Sequence, residues 1–307
     1  MSLGLVAVVV MVALLDRAVG EPPARFHPVV WVGRAVAVLD QSWSHPKTVG
    51  ALAALGLPLA AAAAVWLAIT GSNAIHPVFG LFVGVYVLFS STSLRLLAET
   101  AREVVARSET DLTRAREELL ALAGRDASEL SAGHVRSAAT ESAAENLSDG
   151  LVAPLAAFGL AALVAGAAGV PALAVAAAAA AWVKAVNTMD SMVGYRSKPV
   201  GWGPARLDDL VMWLPARLTA ICLSAAAASP DPLLSGRRWA QHPPSPNAGW
   251  PMATLAAALQ IKLEKPGVYT LNPVASLPSV GEATRAVGLT ERAGWLAFGL
   301  TGVVVYV

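Results

Sequence analysis

Three long stretches without charged residues constrain this chain more than any other feature of its sequence. No Asp, Glu, Lys or Arg occurs from Val49 to Thr70, from Ile75 to Ser93, or from Leu151 to Val183. A helix needs about 20 apolar residues to cross the hydrocarbon of a bilayer. Each stretch is close to that length or longer, so the sequence predicts helices that cross a membrane.

The longest stretch is predicted to form two helices. It is too long for a single crossing, and the segment from Gly166 to Pro171 combines two glycines with a proline, which favours a tight turn. The first two stretches are predicted to form a helical hairpin with its turn at Gly71-Ser72-Asn73.

Three shorter apolar stretches are weaker candidates for spans, namely Ser2–Leu15, Val211–Ala228 and Gly294–Val307. The first has neither a basic leading region nor a small-residue cleavage site, so we interpret it as a retained helix. The second contains Pro215 and Arg217. Because an arginine that faces lipid is costly, we expect this stretch to be re-entrant or to line a cavity.

The composition agrees with a membrane protein. Only 14% of the 307 residues are charged, whereas soluble domains carry roughly a quarter. The 22 basic and 21 acidic residues give a net charge of +1, which leaves no basic surface and excludes nucleic acid as a partner. The single cysteine, Cys222, excludes disulfides and cysteine-based zinc sites.

The sequence therefore predicts an all-α, polytopic integral membrane protein with long polar loops. We expect one membrane-embedded catalytic domain over residues 1–307. Its polar regions lie between the apolar stretches, at residues 16–48, 94–150, 184–210 and 229–293.

The second polar region contains an amphipathic pattern. Small and apolar residues recur with a seven-residue repeat from Ala98 to Leu122, and charged residues occupy the other faces. The pattern predicts a helix within the loop that ends at Gly124, packed against its neighbours rather than on a membrane surface.

An acidic stripe follows in the same region. Glu141, Glu145 and Asp149 are spaced four residues apart, with Asn146 beside them, so a continuous helix would align the three carboxylates. Adjacent like charges repel on a helix, and a hard cation such as Mg²⁺ that carries phosphates would compensate them. The alternative is a solvated acidic face without a ligand.

A second cluster combines acids with arginines. Asp190 and Arg196 are followed by a glycine-containing segment and then by Arg206, Asp208 and Asp209. These residue types can hold Mg²⁺ and phosphate, and flexible glycine backbone would help them to do so. The alternative is a helix cap at Asp190 and surface ion pairs that contribute little.

Two further motifs contain candidate binding residues. In the segment from His242 to Pro251, four prolines surround Ser245 and Asn247, which predicts a stiff loop that presents polar groups, or else an ordinary turn. Near the amino terminus, His27 is a candidate acid or base, although a lone histidine is more often structural. Arg34 follows it in the same motif.

Known nucleotide-binding and hydrolase motifs are absent. The chain has no GxxxxGK[ST] loop, no GxGxxG after a strand, no HExxH and no GxSxG.

Taken together and in order, however, four segments resemble the CbiB/CobD family of cobalamin biosynthesis, the adenosylcobinamide-phosphate synthases. The segments are LLDRAVGEPPARFHPVVWVGR, ATESAAENLSDGLVAPL, NTMDSMVGYRSKPVGWGPARLDDLVMWLPARLTA and HPPSPNAGWP.

This resemblance implies an integral membrane enzyme that uses ATP and Mg²⁺ to form an amide. Its substrates would be the corrinoid adenosylcobyric acid and aminopropanol or aminopropanol O-phosphate. We hypothesise that the metal ligands come from six carboxylates, and that the arginines and polar loop residues bind phosphate and substrate. The carboxylates are Glu141, Glu145, Asp149, Asp190, Asp208 and Asp209. The phosphate- and substrate-binding residues are Arg34, Asn146, Arg196, Arg206, Arg217, Ser245 and Asn247. The catalytic residues would be Glu141, Glu145, Asp149 and Asp190, with His27 or His242 as the group that takes the amine proton.

Two rival functions are a transporter with an intramembrane charged pathway and a non-catalytic scaffold for other enzymes of the corrinoid pathway, which are also candidate partners of the ligase. A transporter predicts charges deep within several helices, whereas here the charges concentrate in loops and at helix ends. We expect a multi-pass protein of the cell membrane, with the motif loops facing the cytoplasm because ATP is found there.

Overall fold

The computed structural model describes residues 2–124 and 126–307, and nearly all of their regular structure is helical. The helices are α1 (Ser2–Val19), α2 (Pro28–Ala37), α3 (Pro46–Ile75), α4 (Pro77–Ser91), α5 (Arg95–Thr110), α6 (Leu112–Ala123), α7 (Ala132–Leu147), α8 (Ala153–Ala167), α9 (Ala172–Val193), α10 (Trp202–Val211), α11 (Trp213–Ala226), α12 (Asp231–Gly236), α13 (Gly249–Leu259) and α14 (Val280–Tyr306). A π-helical turn at Ser148–Val152 separates α7 from α8, and a 3₁₀ turn at Pro199–Gly201 precedes α10. Two short strands, β1 (Leu263–Lys265) and β2 (Tyr269–Leu271), pair antiparallel.

The prediction of an all-α polytopic membrane protein is confirmed. Within the described residues, four helical segments are long and apolar enough to cross a membrane, or up to five if α10 and α11 form one broken span. The four segments are Pro46–Ile75, Pro77–Thr110, Ala132–Ala167 and Ala172–Val193. The stretch predicted at Val211–Ala228 is the helix α11, which begins just after a break at Met212.

The predicted turn at Gly71-Ser72-Asn73 is wrong, because α3 continues through these residues to Ile75. The chain turns instead at His76, whose backbone is extended with φ −163° and ψ 136°. A proline disfavours the helical conformation in the residue before it, and Pro77 imposes that restriction on His76. The His76 Nδ1 accepts a hydrogen bond of 3.3 Å from the Val78 N–H and so caps α4.

The division of the longest apolar stretch into two helices is confirmed. The helix α8 ends at Ala167 and α9 begins at Ala172. Gly169 between them has a φ of +68°, a conformation that glycine adopts without the steric cost of a Cβ atom.

Two predicted helix bounds are too narrow. The first helix continues from Leu15 to Val19, and Asp16 within it is fully buried. The last helix begins at Val280 rather than at Gly294. A capping box explains its early start, because the Ser279 N–H donates to the Glu282 carboxylate at 2.8 Å and the Glu282 N–H donates back to the Ser279 Oγ at 3.3 Å.

The single amphipathic helix predicted up to Gly124 is two helices. The helix α5 ends at Thr110, and the Asp111 side chain caps α6 by accepting a 3.0 Å hydrogen bond from the Arg114 N–H. An aspartate that caps a new helix competes with continuation of the old one. The predicted end at Gly124 is confirmed, since this residue has a left-handed φ of +61°.

The chain divides into two compact units. Unit 1 comprises Met1–Ser93, Asp149–Met212 and Phe298–Val307, and unit 2 comprises Leu94–Ser148 and Trp213–Ala297. Whether the two units act as the single catalytic domain that the sequence predicts stays a prediction.

In unit 1, the helix α9 packs against α2, α3, α4, α8 and α10. A hydrophobic cluster around Met189 and Val193 of α9 includes Val36 of α2, Ala54 of α3 and Val200 of the 3₁₀ turn. The burial of this cluster fixes the carboxyl-terminal half of α9 against the start of α10.

In unit 2, the helices α5, α6 and α7 pack around Val105, Leu119 and Val135, which are fully or almost fully buried. The strand β1 packs against α7, and α13 contacts both α7 and the strand pair. The β-hairpin therefore lies beside the part of α7 that carries Glu141.

Candidate functional site

Unit 1 contains an acidic cluster, which we define as Asp149, Asn187, Asp190, Asp208 and Asp209. The Asn187 amide donates a 3.2 Å hydrogen bond to the Asp149 carboxylate. The Asp208 carboxylate interacts electrostatically with the carboxylates of Asp149, Asp190 and Asp209, and it is close to the Asn187 amide. Four carboxylates from three separate parts of the sequence are thus gathered in one region of this unit.

Three elements build the acidic cluster. Asn187 and Asp190 lie on the last two turns of α9, Asp208 and Asp209 lie on α10, and Asp149 lies in the π-helical turn. A π-helical turn inserted between α-helices often marks a functional position. The stripe of Glu141, Glu145 and Asp149 is therefore not carried by one uninterrupted α-helix, because the hydrogen-bond pattern changes at Ser148.

Glycines hold α10 in place rather than exposing backbone to a ligand. A Cβ atom on Gly203 would lie 2.7 Å from the Ala51 Cα, and one on Gly50 would lie 1.8 Å from the Val200 carbonyl oxygen. Both separations exclude a side chain, so α3 and the start of α10 meet backbone to backbone. Gly203 is thus buried against α3, and the help expected from the glycine-containing segment in holding phosphate stays a prediction.

One oxygen of the acidic cluster lacks a partner. The Asp208 Oδ1 is buried and accepts no hydrogen bond from any residue that the structure describes. Within residues 2–124 and 126–307, no three His, Cys, Asp or Glu side chains are arranged to hold a metal ion. Buried polar atoms are normally satisfied, so the unpartnered oxygen identifies Asp208 as a candidate ligand-binding residue.

The predicted phosphate-binding arginines of unit 1 differ in their relation to this cluster. Arg206 lies beside it, with its Nη1 3.7 Å from the Asp209 carboxylate and its side chain 71% exposed. Arg34 on α2 and Arg196, which follows α9, are exposed to solvent. The structure thus brings Arg206 to the acidic cluster, and it leaves the roles of Arg34 and Arg196 as predictions.

His27 and Glu21 form a pair in the same unit. The His27 Nε2 lies 3.6 Å from the Glu21 carboxylate, and Lys184 of α9 interacts electrostatically with both Glu21 and Asp149. His27 is only 9% exposed. Its Nδ1 is buried without a hydrogen-bond partner among the described residues, so this nitrogen is available to a ligand.

The environment of Glu21 gives a pH dependence that can be measured. The neighbouring His27 imidazole holds the pKa of Glu21 below its ordinary value of 4.5, although burial acts in the opposite direction. A carboxylate whose pKa is lower in the folded state stabilises the fold above the unfolded value and loses that contribution as the pH falls. The difference in unfolding temperature between the wild type and Glu21→Gln should therefore shrink below about pH 4.5.

Thermal unfolding of the detergent-solubilised protein across the acid range measures this difference. Glu99→Gln is the matched control, because Glu99 forms an exposed pair with Arg95 on the same helix. A difference for Glu21→Gln that stays constant through acid pH would contradict the assignment of the His27 contact.

Unit 2 contains a separate carboxylate–tyrosine cluster, which we define as Glu141, Ser137 and Tyr269. Glu141 is 4% exposed. Its carboxylate accepts hydrogen bonds of 2.7 Å from the Ser137 hydroxyl and 2.7 Å from the Tyr269 hydroxyl. The Ser137 Oγ in turn accepts a 2.7 Å hydrogen bond from the Glu264 N–H of β1. Glu141 thus joins α7 to the β-hairpin.

A more exposed group of charges lies at the start of this hairpin. Lys262 lies 3.1 Å from the Glu264 carboxylate, and the His134 Nε2 lies 3.4 Å from it. The Lys262 side chain holds the pKa of Glu264 below its ordinary value, with smaller contributions from His134 and Thr270.

The predicted binding residue Arg217 is half-buried in unit 2 and lies against two indole rings. Its guanidinium lies 4.7 Å from the ring of Trp213 and 4.9 Å from the ring of Trp250. Its Nη1 donates to the Asn247 Oδ1 at 2.6 Å and to the Trp213 carbonyl at 2.8 Å. The Ser245 Oγ accepts from the Asn247 N–H at 3.2 Å. Arg217 therefore ties α11 to the proline loop through Asn247, and the predicted binding role of this loop stays a prediction.

Three other predicted residues of unit 2 have different surroundings. His242 is exposed, with its Nδ1 3.0 Å from the Thr270 carbonyl oxygen. Asn146 donates a 3.4 Å hydrogen bond to the Leu122 carbonyl, and Glu145 beside it is half-buried. The catalytic and metal-binding roles assigned to the residues of this unit, including Glu141 and Glu145, stay predictions.

Sequence analysis missed two residues that lie at these clusters. Lys184 is the first charged residue after a long apolar stretch, so the sequence predicts the beginning of a polar region there, although α9 continues to Val193. An ionisable residue inside a spanning helix is a signal of function and could have identified it. Tyr269 carried no such signal, because only the pairing of β1 with β2 brings it to Glu141.

The fold and its buried carboxylate clusters define a class of all-α polytopic membrane protein with polar chemistry gathered at helix ends and turns. A family model described as CobD/Cbib protein matches residues 9–295. The chain therefore belongs to the CobD/CbiB family.

Relatives from archaea and bacteria match nearly the whole chain. It is 36% identical to the "Probable cobalamin biosynthesis protein CobD" of Methanothrix thermoacetophila, over 95% of this chain and 94% of that protein. It is also 37% identical to the "Cobalamin biosynthesis protein CobD" of Geobacter metallireducens, over 94% of this chain and 90% of that protein. No solved structure matches the chain.

Proposed function

We propose that this protein is an ATP- and Mg²⁺-dependent amide ligase of cobalamin biosynthesis. It joins adenosylcobyric acid to aminopropanol or to aminopropanol O-phosphate, which gives adenosylcobinamide or its phosphate. Family membership supports the pathway. The observation that carries the chemistry is the acidic cluster of unit 1, in which a buried Asp208 oxygen has no partner among the described residues.

The acidic cluster fits Mg²⁺ by the chemistry of its donors. Carboxylate oxygens are hard ligands, and Mg²⁺ accompanying a nucleotide usually takes only one or two carboxylates together with phosphate oxygens and water. A preformed set of three protein ligands is therefore not required, which agrees with the arrangement of the described residues. Asp208 and Asp190 are the residues that we assign to the ion, and Asp149 and Asp209 add negative charge around it.

Amide formation requires an activated carboxyl group, because a carboxylate is a poor electrophile. ATP would supply the activation by transferring its terminal phosphoryl group to the carboxylate with release of ADP, and Mg²⁺ held by Asp208 and Asp190 would neutralise phosphate charge. The amine then forms the carbon–nitrogen bond as inorganic phosphate leaves, and the amine nitrogen loses a proton.

The residues of the chain have defined tasks in this scheme. Arg206, exposed beside Asp209, offsets phosphate charge, which is the electrostatic contribution that dominates phosphoryl transfer. His27 accepts the proton of the amine at its unpartnered Nδ1, while Glu21 beside the Nε2 orients the ring. The loops that carry these residues face the cytoplasm in this proposal, since ATP is supplied there.

The decisive assay measures ATP hydrolysis and corrinoid amide formation by the purified protein in detergent or nanodiscs. We expect ADP release that requires adenosylcobyric acid, Mg²⁺ and the amine together, with one amide formed for each ATP consumed. Running the assay with aminopropanol and with its O-phosphate identifies the acceptor as the substrate with the larger kcat/KM.

Controls without the corrinoid or without the amine separate the ligase from its rivals. A scaffold would consume no ATP under any of these conditions. A transporter would move a corrinoid into vesicles without forming an amide. Either outcome would overturn the proposed function.

A further inference from the structure

A cavity of about 350 Å³ in unit 1 lies between α2, α3, α4 and α9, and the proposed ligase chemistry does not use it. Its walls are almost entirely apolar and include Trp31 of α2, Ala64 of α3 and Val87 of α4. The volume is near the lower end of the range of roughly 300–1,000 Å³ that small-molecule pockets occupy. It suits a single alkyl chain better than a macrocycle.

One amine interrupts the apolar wall. Lys184 of α9 lines the cavity, and its ammonium makes no hydrogen bond or ion pair with any residue of the described chain. The hydroxyl groups of the lining are already used, because each of them donates to a backbone carbonyl. These are Tyr86 to Phe26, Ser90 and Ser91 to Val87, and Thr188 to Lys184.

Lys184 is the polar group of this cavity that can bind a ligand. It lies within a helix that is long and apolar enough to cross a membrane, nine residues before the last residue of that helix. Charged side chains inside spanning helices face a partner or a cavity rather than lipid. An anionic group would give the ammonium a direct partner in addition to its attraction to Glu21 and Asp149, whereas a purely apolar ligand would give it none.

We propose that this cavity binds one acyl chain of an anionic phospholipid, with the lipid phosphate facing Lys184. The cavity volume, its apolar walls and an ammonium that makes no hydrogen bond or direct ion pair with the described residues together select a molecule with an alkyl chain and an anionic head. The bilayer around the spanning helices supplies such molecules. Lys184 also interacts electrostatically with Glu21 and Asp149, so the bound lipid would alter the electrostatic potential beside the acidic cluster.

Quenching of Trp31 fluorescence by brominated lipids tests the proposal. The protein is reconstituted into phosphatidylcholine vesicles that contain either brominated phosphatidylglycerol or, in a separate sample, the same fraction of brominated phosphatidylcholine. Because the chain has nine tryptophans, the signal of Trp31 is taken as the difference between each protein and its Trp31→Phe counterpart. We expect stronger quenching by the anionic lipid than by the neutral lipid.

Variants separate the contributions of charge and volume. Lys184→Gln should abolish the excess quenching by phosphatidylglycerol, and Lys184→Arg should keep it. Ala64→Leu fills the cavity and should reduce quenching by both lipids. Ala63→Leu is the matched control, because Ala63 is an exposed neighbour on α3 that does not line the cavity.

Three outcomes would overturn the proposal. The first is equal quenching by the two lipids in the wild type. The second is that Lys184→Gln keeps the full excess of quenching by phosphatidylglycerol over phosphatidylcholine. The third is that inorganic phosphate removes this excess from the wild type, which would assign the site to a soluble anion. Circular dichroism establishes that each variant is folded, and Lys184→Arg keeps the charge prediction testable if Lys184→Gln fails to fold.

Discussion

Asp208→Asn is expected to lower the turnover of ATP-dependent amide formation by about 100-fold, because a metal ion contributes several kcal/mol of transition-state stabilisation. Asparagine has nearly the shape of aspartate but carries no charge. The change therefore weakens the binding of Mg²⁺ at the unpartnered Asp208 oxygen without creating a void. Steady-state kinetics at varied Mg²⁺ concentration measure both the loss of kcat and the rise in the Mg²⁺ requirement.

Asp40→Asn is the matched control for this experiment. Asp40 carries the same carboxylate in unit 1, but it forms an exposed ion pair with Lys198 at 2.8 Å, and such pairs contribute little. Its kinetics should be close to those of the wild type. Near-normal turnover in Asp208→Asn, at wild-type Mg²⁺ dependence, would remove Asp208 from the metal site.

Glu141→Ala is expected to lower the free energy of unfolding by about 3 kcal/mol, because it leaves two hydroxyl donors without their acceptor in a buried environment. The donors are Ser137 and Tyr269, each at 2.7 Å from the carboxylate. The loss should appear as a lower midpoint of denaturant-induced unfolding in mixed micelles.

Two further variants locate the origin of this loss. Tyr269→Phe removes one of the two hydrogen bonds and should cost only about 1 kcal/mol. Glu264→Ala removes a partly exposed carboxylate of the same hairpin, while its backbone N–H still donates to Ser137, so we expect a change below that of Tyr269→Phe. If Glu141→Ala unfolds like the wild type, the carboxylate does not hold the hairpin against α7.

The helices could be predicted from sequence wherever one physical requirement dominated. The stretch after Leu151 must be apolar to span a bilayer and must break at Gly169 to reverse direction, and both requirements are local. The turn between α3 and α4 differs from the prediction, because Pro77 restricts the backbone of His76 more strongly than residues 71–73 favour a turn. Likewise, the Asp111 side chain caps α6 and so divides the predicted amphipathic helix in two. The seven-residue repeat alone does not predict this break.

The candidate site could be predicted only in part. Asp190, Asp208 and Asp209 were identified from their residue types, and the structure gathers them because α9 and α10 pack through apolar residues such as Met189 and Val200. The environment of Arg217 could be foreseen only in part, since Trp213 is four residues before it on α11 whereas only the fold brings Trp250 to it. The importance of Lys184 depends on the length of α9 and on the cavity beside it, neither of which a charge pattern reveals.

The backbone contact between α3 and the start of α10 also bears on how this family can diverge. Because Gly50 meets the Val200 carbonyl and Gly203 meets Ala51 with no side chain between them, a larger residue at either glycine would displace the start of α10 and with it Asp208. A protein that keeps this arrangement of carboxylates is therefore expected to keep glycine at both positions, even where only about a third of its residues match this chain.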